Sequence, residues 1–438
     1  MNTTPSNASG PRVVIVGAGF GGLAAAMQLG SAPAEVSVID TRNYNLFQPL
    51  LYQVATAALS PADIAAPIRS ILRDHANTRV LLDEAISVDR TLRKVHTRSG
   101  AESGYDILVI ATGSTDNYFG HEDWRPFARG LKSIEEAQAI RRHVLLAYER
   151  AEMEANKAQR DRLLTFVLVG GGPTGVEMAG ALAELARAAL ARDFRRIDPK
   201  DTRIILVEAG MKILPEFPDR LSDFARRSLE RMGVEVRVGS PIERIDAEGA
   251  VAKGQRIEAS TVIWCAGVKA GPVAQWLGIP PARSGKIEVG PDLSLPGDPN
   301  VFIIGDAAQC RGMDGKPLPG LAAVAKQQGE YVGMLIRRRL RNERPPGPFR
   351  YRDRGTLATI GRHSAVARLP HASLNGTVAW ILWGVVHLYF LIGFRNRAAV
   401  FLNWVWAWLT YSRGARLIIG PSGSAGTGRD ARMRDDAA

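Results

Sequence analysis

Two glycine-rich turns, each set between a β-branched run and a helix of small residues, constrain this chain more than any other feature. The first follows RVVIV (12–16) and reads Gly17-Ala-Gly19-Phe20-Gly21-Gly22 ahead of LAAAMQLG. Gly17 permits the tight turn from strand to helix. Gly19 lacks Cβ, so a pyrophosphate can approach the backbone, and Gly22 allows helix and strand to pack closely. The helix N-terminus adds unpaired N–H groups and the positive end of its dipole. The next strand, EVSVID, ends at Asp40, 18 residues past Gly22, where a carboxylate accepts from ribose hydroxyls. A lone glycine turn serves packing as readily as binding. The preceding strand, the following helix and the acid favour a dinucleotide.

The pattern recurs about 150 residues later. LLTFVLV from Leu163 leads into Gly170-Gly171-Gly172-Pro173-Thr174-Gly175, then the helix VEMAGALAELARAALARDF, then RIILVE ending at Glu208. A carboxylate there accepts from a 2′-OH and repels a 2′-phosphate, which favours NADH over NADPH. The long spacing to Glu208 reflects an added polar segment, DFRRIDPKDT. Three shorter strand-to-glycine points punctuate the chain: Ala111-Thr112-Gly113 after ILVI, Ala266-Gly267 after VIWC, and Gly305-Asp306 after VFII. An acid after such a strand hydrogen-bonds a ribityl or pyrophosphate-linked group, and the glycine before it admits the cofactor.

The chain has 438 residues, enough for two or three domains, and its 46% hydrophobic and 23% charged content is globular. Cys265 and Cys310 lie 45 residues apart and form no CxxC or CxxxxC pair. This excludes a disulfide framework, an iron–sulfur ligand set and a local redox dithiol. Both read as small buried hydrophobes. The histidines show no ligand spacing, so no metal is expected. The net charge of +12 suits nucleic acid or an anionic membrane surface. The membrane reading is the better one, because the arginines accompany apolar helices and no base-stacking module is evident. MNTTPSNASGPR has no apolar core of a secretory signal; residues 1–11 read as a disordered lead and 421–438 as a disordered tail.

The order GxGxxG…ATG…GxGxxG…GD resembles the two-dinucleotide-binding-domain flavoproteins, in which the first site holds FAD and the second NAD(P)H. Where the disulfide reductases of that family carry CxxxxC, this chain reads Asn43-Tyr-Asn-Leu-Phe-Gln48-Pro-Leu-Leu-Tyr52-Gln53. FQPLLYQVATAALSPADIA, FVLVGGGPTGVEMAGALAEL, LPGLAAVAKQQGEYVG and HLYFLIGFRNRAAVFLNWVWAWLTYSRGARLI resemble the type II NADH dehydrogenases, single-subunit, non-pumping NADH:quinone oxidoreductases. The resemblance implies an α/β chain with two Rossmann-like three-layer domains and a membrane-associating helical C-terminal segment. The expected division is FAD binding at 12–162 and 286–345, NADH binding at 163–285, and anchoring or dimerisation at 346–420. It further implies that Glu177 lies near the nicotinamide–flavin contact. Lys326 would join the flavin site, and Gln327 and Gln328 would sit by the quinone, with Ala323 replacing an expected Gln. Gln48, Tyr52 and Gln53 would approach the flavin.

VAWILWGVVHLYFLIGF (378–394) is 17 residues long with His387 its only polar side chain, and AAVFLNWVWAWLTY after Arg395 and Arg397 has 14. These lengths favour two interfacial helices over a spanning hairpin, with Trp380, Trp383, Trp404, Trp406 and Trp408 at the interface. The implied partners are NADH, a membrane quinone, lipid and a second copy of the chain. The implied place is the cytoplasmic face of the inner membrane. Two other readings stay open: a soluble NAD(P)H reductase serving a ferredoxin, rubredoxin or oxygen, and a redox-sensing membrane scaffold that binds both nucleotides.

Overall fold

Buried on both faces, the β-branched runs form the centres of two parallel sheets. The computed structural model describes residues 10–282, 285–410 and 414–419. Most of the proposed lead (1–9) and the whole tail (421–438) therefore lie outside the described residues. In the first sheet the order is Ser294–Leu295, Asp298–Ile303, Ile107–Ile110, Arg12–Val16, Glu35–Asp40, Thr78–Leu82. All neighbours are parallel except the antiparallel edge hairpin of Ser294–Leu295. Val13, Ile15, Val38 and Leu108 are fully buried, which explains continuous apolar runs in place of alternation.

Returning to this unit, the helix Ala322–Leu340 packs along Phe20–Leu29. Small residues let the two backbones approach. A Cβ on Gly329 would strike the Gly21 carbonyl oxygen, and one on Gly333 would lie 2.7 Å from the Ala25 oxygen. The chain thus leaves the first unit, builds the second and comes back.

The second sheet runs Ala128–Arg129, Thr261–Trp264, Thr165–Val169, Arg203–Val207, Val234–Arg237, all parallel. It includes Ala128–Arg129, so the exchange between units falls well before residue 163, where the sequence reading began the second one. A two-residue strand leaves no periodic signal. The helix after the second turn is also shorter than its apolar pattern suggests: Pro173–Glu184 is α-helical and Leu185–Ala189 is a π turn closed by Leu190 N–H to Leu185 O at 2.9 Å. An antiparallel ladder joins the units, pairing Ser114↔Ala270, Thr115↔Lys269 and Asp116↔Val268.

The C-terminal region is not helical throughout. Thr356–Gly361, Ser364–Arg368 and Ser373–Asn375 form an antiparallel sheet ahead of the helices Gly376–Phe390 and Phe394–Thr410. The sheet lies so tightly on the Pro173–Glu184 helix that a Cβ on Gly180 would strike the Ile360 oxygen. Ala379, Trp383 and Val400 join the same core as Met178 and Ala367. Among the described residues, no helix is long and apolar enough to cross a membrane.

Candidate functional site

At the first turn Gly17 takes φ +95°, and a Cβ there would strike the Ala111 carbonyl oxygen. Gly22 packs under the Gly17 carbonyl in the same intimate way. A Cβ on Gly19, by contrast, would meet nothing within 4 Å. Gly19 is the N-cap residue, the helix has no side-chain cap, and no acid occupies its first turn. Open space, free N–H groups and an uncompensated dipole fit a pyrophosphate. Gly21 differs from its neighbours: its Cβ direction points at the Ala325 oxygen (3.1 Å) and Ile304, so it serves helix packing.

Asp40 accepts from Ala18 N–H at 2.6 Å and Arg42 N–H at 2.8 Å, while Asn45 donates to Ala18 O at 2.8 Å. The two peptide groups that flank Ala18 Cα are therefore both held. Burial raises the Asp40 carboxyl and the two backbone donors oppose that. Phe20 meets Phe47 edge to face at 6.0 Å. Gly113 and Gly305 are both left-handed, at φ +71° and +70°. Asp306 accepts from Ser114 Oγ at 2.7 Å, which ties the Ala111–Gly113 turn to the Gly305 turn. Thr112 Oγ1 is buried with no partner. These groups converge on the carboxyl end of the first sheet, where open α/β sheets bind ligands.

The second turn repeats the geometry. Gly170 has φ +110° and lies 2.8 Å, by its absent Cβ, from Ala266 Cα. Gly175 packs under the Gly170 oxygen, and a Cβ on Gly172 would meet nothing. Pro173 opens the helix, no acid occupies its first turn, and Thr174 is exposed beside it. Glu208 accepts from Gly171 N–H and Gly210 N–H, both at 2.6 Å. The carboxylate thus braces the turn at the position where a ribose would bind. Gly267, with φ +64°, follows Ala266.

Glu177, 9% exposed, lies one turn into the Pro173–Glu184 helix that follows the second glycine turn. Burial pushes its carboxyl up to about 8, against the Thr359 N–H that donates to it at 3.3 Å. The Trp383 indole N–H, which makes no hydrogen bond of standard geometry, lies near enough to oppose the same shift. Trp383 O in turn meets His387 Nδ1 at 2.7 Å, and the His387 ring stands edge-on to Phe47 at 6.1 Å. Burial holds the largely buried His387 down at about 4, so it is neutral at pH 7. C-terminal side chains therefore reach both Glu177 and Phe47.

The glutamines behave differently from the sequence expectation. Gln328 is 1% exposed and accepts from Gly305 N–H at 2.7 Å, so it holds the Gly305 turn. Gln327 donates to Arg352 O and accepts from Arg352 N–H, both at 3.0 Å. Lys326 pairs with Glu330 at 3.8 Å and stands over the Phe390 ring at 5.1 Å. Tyr52 and Gln53 are buried in the short helix Leu51–Ala55. Gln53 donates to Tyr52 Oη at 2.9 Å and accepts from Trp404 Nε1 at 2.8 Å. Sequence reasoning missed Asn45, Ser114 and Thr359. Only Asn45, a polar residue inside a buried run, left any signal; Thr359 meets Glu177 across 182 positions. Both cysteines are free, and burial raises both thiols, Cys265 to about 12. Neither is primed as a thiolate.

Residues 11–329 match the pyridine nucleotide-disulphide oxidoreductase family, which defines the class of protein. Residues 354–413 match the NDH2 C-terminal domain. The chain is 40% identical to the type II NADH:quinone oxidoreductase Ndh of Mycobacterium tuberculosis, over 92% of its own length and 89% of the relative's. It is 31% identical to a type II NADH:quinone oxidoreductase of Staphylococcus haemolyticus, over 86% and 94% of the two chains. The solved NDH2 structure of Plasmodium falciparum in complex with NADH has the same fold, with TM-score 0.85 at 21% identity, covering 94% of this chain and 100% of that one. The chain belongs to the type II NADH:quinone oxidoreductases.

Proposed function

We propose that the chain is an FAD-dependent enzyme that takes hydride from NADH and delivers two electrons to a membrane quinone, without pumping protons. The observation that carries this is the pair of open turns, Gly19 and Gly172, in two sheets tied by the Ser114–Asp116 ladder. When bound, FAD supplies the redox chemistry, taking a hydride and passing on electrons in pairs. The chain's own residues bind, orient and exclude water.

The Gly17–Gly22 turn and the N-terminus of the Phe20–Leu29 helix would hold the FAD pyrophosphate, Asp40 its ribose and Asp306 its ribityl side. The Gly170–Gly175 turn would hold the NADH pyrophosphate and Glu208 the ribose 2′-OH, which excludes a 2′-phosphate by charge. Glu177, protonated at pH 7, presents a neutral hydrogen-bonding carboxyl between them. Gln327 and Gln328 act as positioning residues, since their amides fix Arg352 and the Gly305 turn.

Association with the lipid surface is supported by Phe401, Leu402, Val405, Trp406 and Leu409, all exposed on one helix whose Asn396, Asn403 and Trp404 side chains bond inward. The association is peripheral, on the NADH-bearing cytoplasmic face, with a homodimer sharing the same C-terminal region. Deleting the C-terminal helices would not test this, because Trp383 and Val400 belong to the core. Substitution of Phe401, Val405 and Trp406 by Ser does. The variant should keep NADH–ferricyanide activity yet lose sedimentation with vesicles and turnover of long-chain quinone. Anaerobic NADH titration of the bound flavin, followed by reoxidation with a short-chain quinone, tests the chemistry itself. A flavin that NADH fails to bleach would overturn the assignment.

A further inference from the structure

Strand order in the second sheet sets the direction in which a dinucleotide runs. Glu208 follows Arg203–Val207, the Gly170 turn follows the central Thr165–Val169, and Ala266–Gly267 follows Thr261–Trp264 on the other side. With the adenosine ribose at Glu208 and the pyrophosphate on the Gly170–Gly175 turn, the nicotinamide half continues past Ala266 and Gly267. On that side Val268–Ala270 pairs with the first unit.

Phe119 stands there. Its ring lies on Gly267 so closely that a Cβ on that glycine would come within 2.8 Å of Phe119 Cε2. The loop is held in place: Phe119 N–H donates to Asn117 Oδ1 at 2.9 Å, and Asn117 N–H donates to Gly267 O at 3.3 Å. Phe119 has φ +55°, a conformation uncommon for a bulky residue. Yet the residue is 63% exposed, so burial in a core does not account for it. Trp264, 6.3 Å away and tilted, covers one side only.

We infer that Phe119 is a positioning residue for the nicotinamide half of NADH, its ring forming an aromatic wall beside Gly267. The inference rests on the two-nucleotide reading above. A planar heteroaromatic group on an aromatic face gains about tenfold in affinity, and the cationic ring of NAD+ gains further from the π face.

The test uses the full-length, FAD-loaded protein and calorimetric titration with NAD+, which cannot reduce the flavin. F119A should bind NAD+ about tenfold more weakly; the KM for NADH, whose dihydronicotinamide is uncharged and not aromatic, should rise by a smaller factor, with kcat little changed. F119W should stay within about threefold of the wild type, whereas F119L, with bulk but no π face, should resemble F119A. Flavin absorbance and Tm should not move in any of them. Affinity within twofold of wild type in F119A, or full recovery in F119L, overturns the inference while leaving the two-nucleotide reading intact. Failure of the wild-type protein to bind NAD+ overturns both.

Discussion

Replacing Glu177 with Gln changes one titratable proton and almost no volume, and it isolates what burial does to this carboxyl. Folding raises the group from its ordinary 4.5 to about 8. The unfolded chain releases this proton near pH 4.5, and the folded protein keeps it until about pH 8. Stability present below the unfolded value is therefore lost progressively as pH rises through that window, and the loss levels off above pH 8. The rise from 4.5 to about 8 corresponds to about 5 kcal/mol in full, of which about 3 kcal/mol has accumulated by pH 7. The amide side chain in E177Q cannot titrate, and its oxygen still accepts from Thr359 N–H. The two proteins should unfold alike near pH 4.5. At pH 7, E177Q should be the more stable by about 3 kcal/mol, or about 3 °C for a chain of this length. The assay is thermal unfolding of FAD-saturated protein by near-UV circular dichroism from about pH 4.5 to 9. Parallel curves, or an E177Q protein less stable at pH 8, would refute the argument. The wild-type pH profile of kcat/KM for NADH should also inflect near pH 8 and lose that inflection in E177Q.

Further outcomes follow from the same geometry. G19A should fold with unchanged apoprotein Tm and bind FAD at least tenfold more weakly; G17A, strained at φ +95° and blocked by Ala111, should lose several degrees of Tm as well. Normal FAD affinity in G19A, measured by flavin fluorescence quenching, would count against the cradle. In Asp40 each carboxylate oxygen accepts one backbone N–H; D40N turns one of these acceptors into a donor, so flavin occupancy after gel filtration should fall sharply. E208S should raise the NADPH/NADH ratio of kcat/KM by at least about tenfold, at some cost in Tm, because Glu208 also braces Gly171 and Gly210. W404F removes the donor that reaches Gln53, a buried amide, and should cost about 1–3 kcal/mol in unfolding free energy.

The local grammar of the sequence determined the two phosphate turns, the strands before them and the acids at Asp40 and Glu208. Each of those features is decided within a few residues by sterics: Gly17 and Gly170 need φ values that only glycine adopts freely, and the β-branched runs fill a two-sided core. That two C-terminal helices too short to span would form was legible too, read from the interruption at Arg395 and Arg397; the break itself falls earlier, at 391–393, and both arginines lie inside the Phe394–Thr410 helix. Only tertiary structure decided what depends on distant partners. Ala128–Arg129 became part of the second sheet because Thr261–Trp264 was there to pair with it. The strand Thr356–Gly361 packed onto Gly180 and brought Thr359 to Glu177, and the Gly376–Phe390 helix delivered Trp383 and His387 to the same spot. Gln328, expected beside the quinone, lies buried with its amide oxygen accepting from Gly305 N–H. Side-chain roles of this kind come from long-range packing and from desolvation, and neither quantity exists in a chain until its distant segments have met.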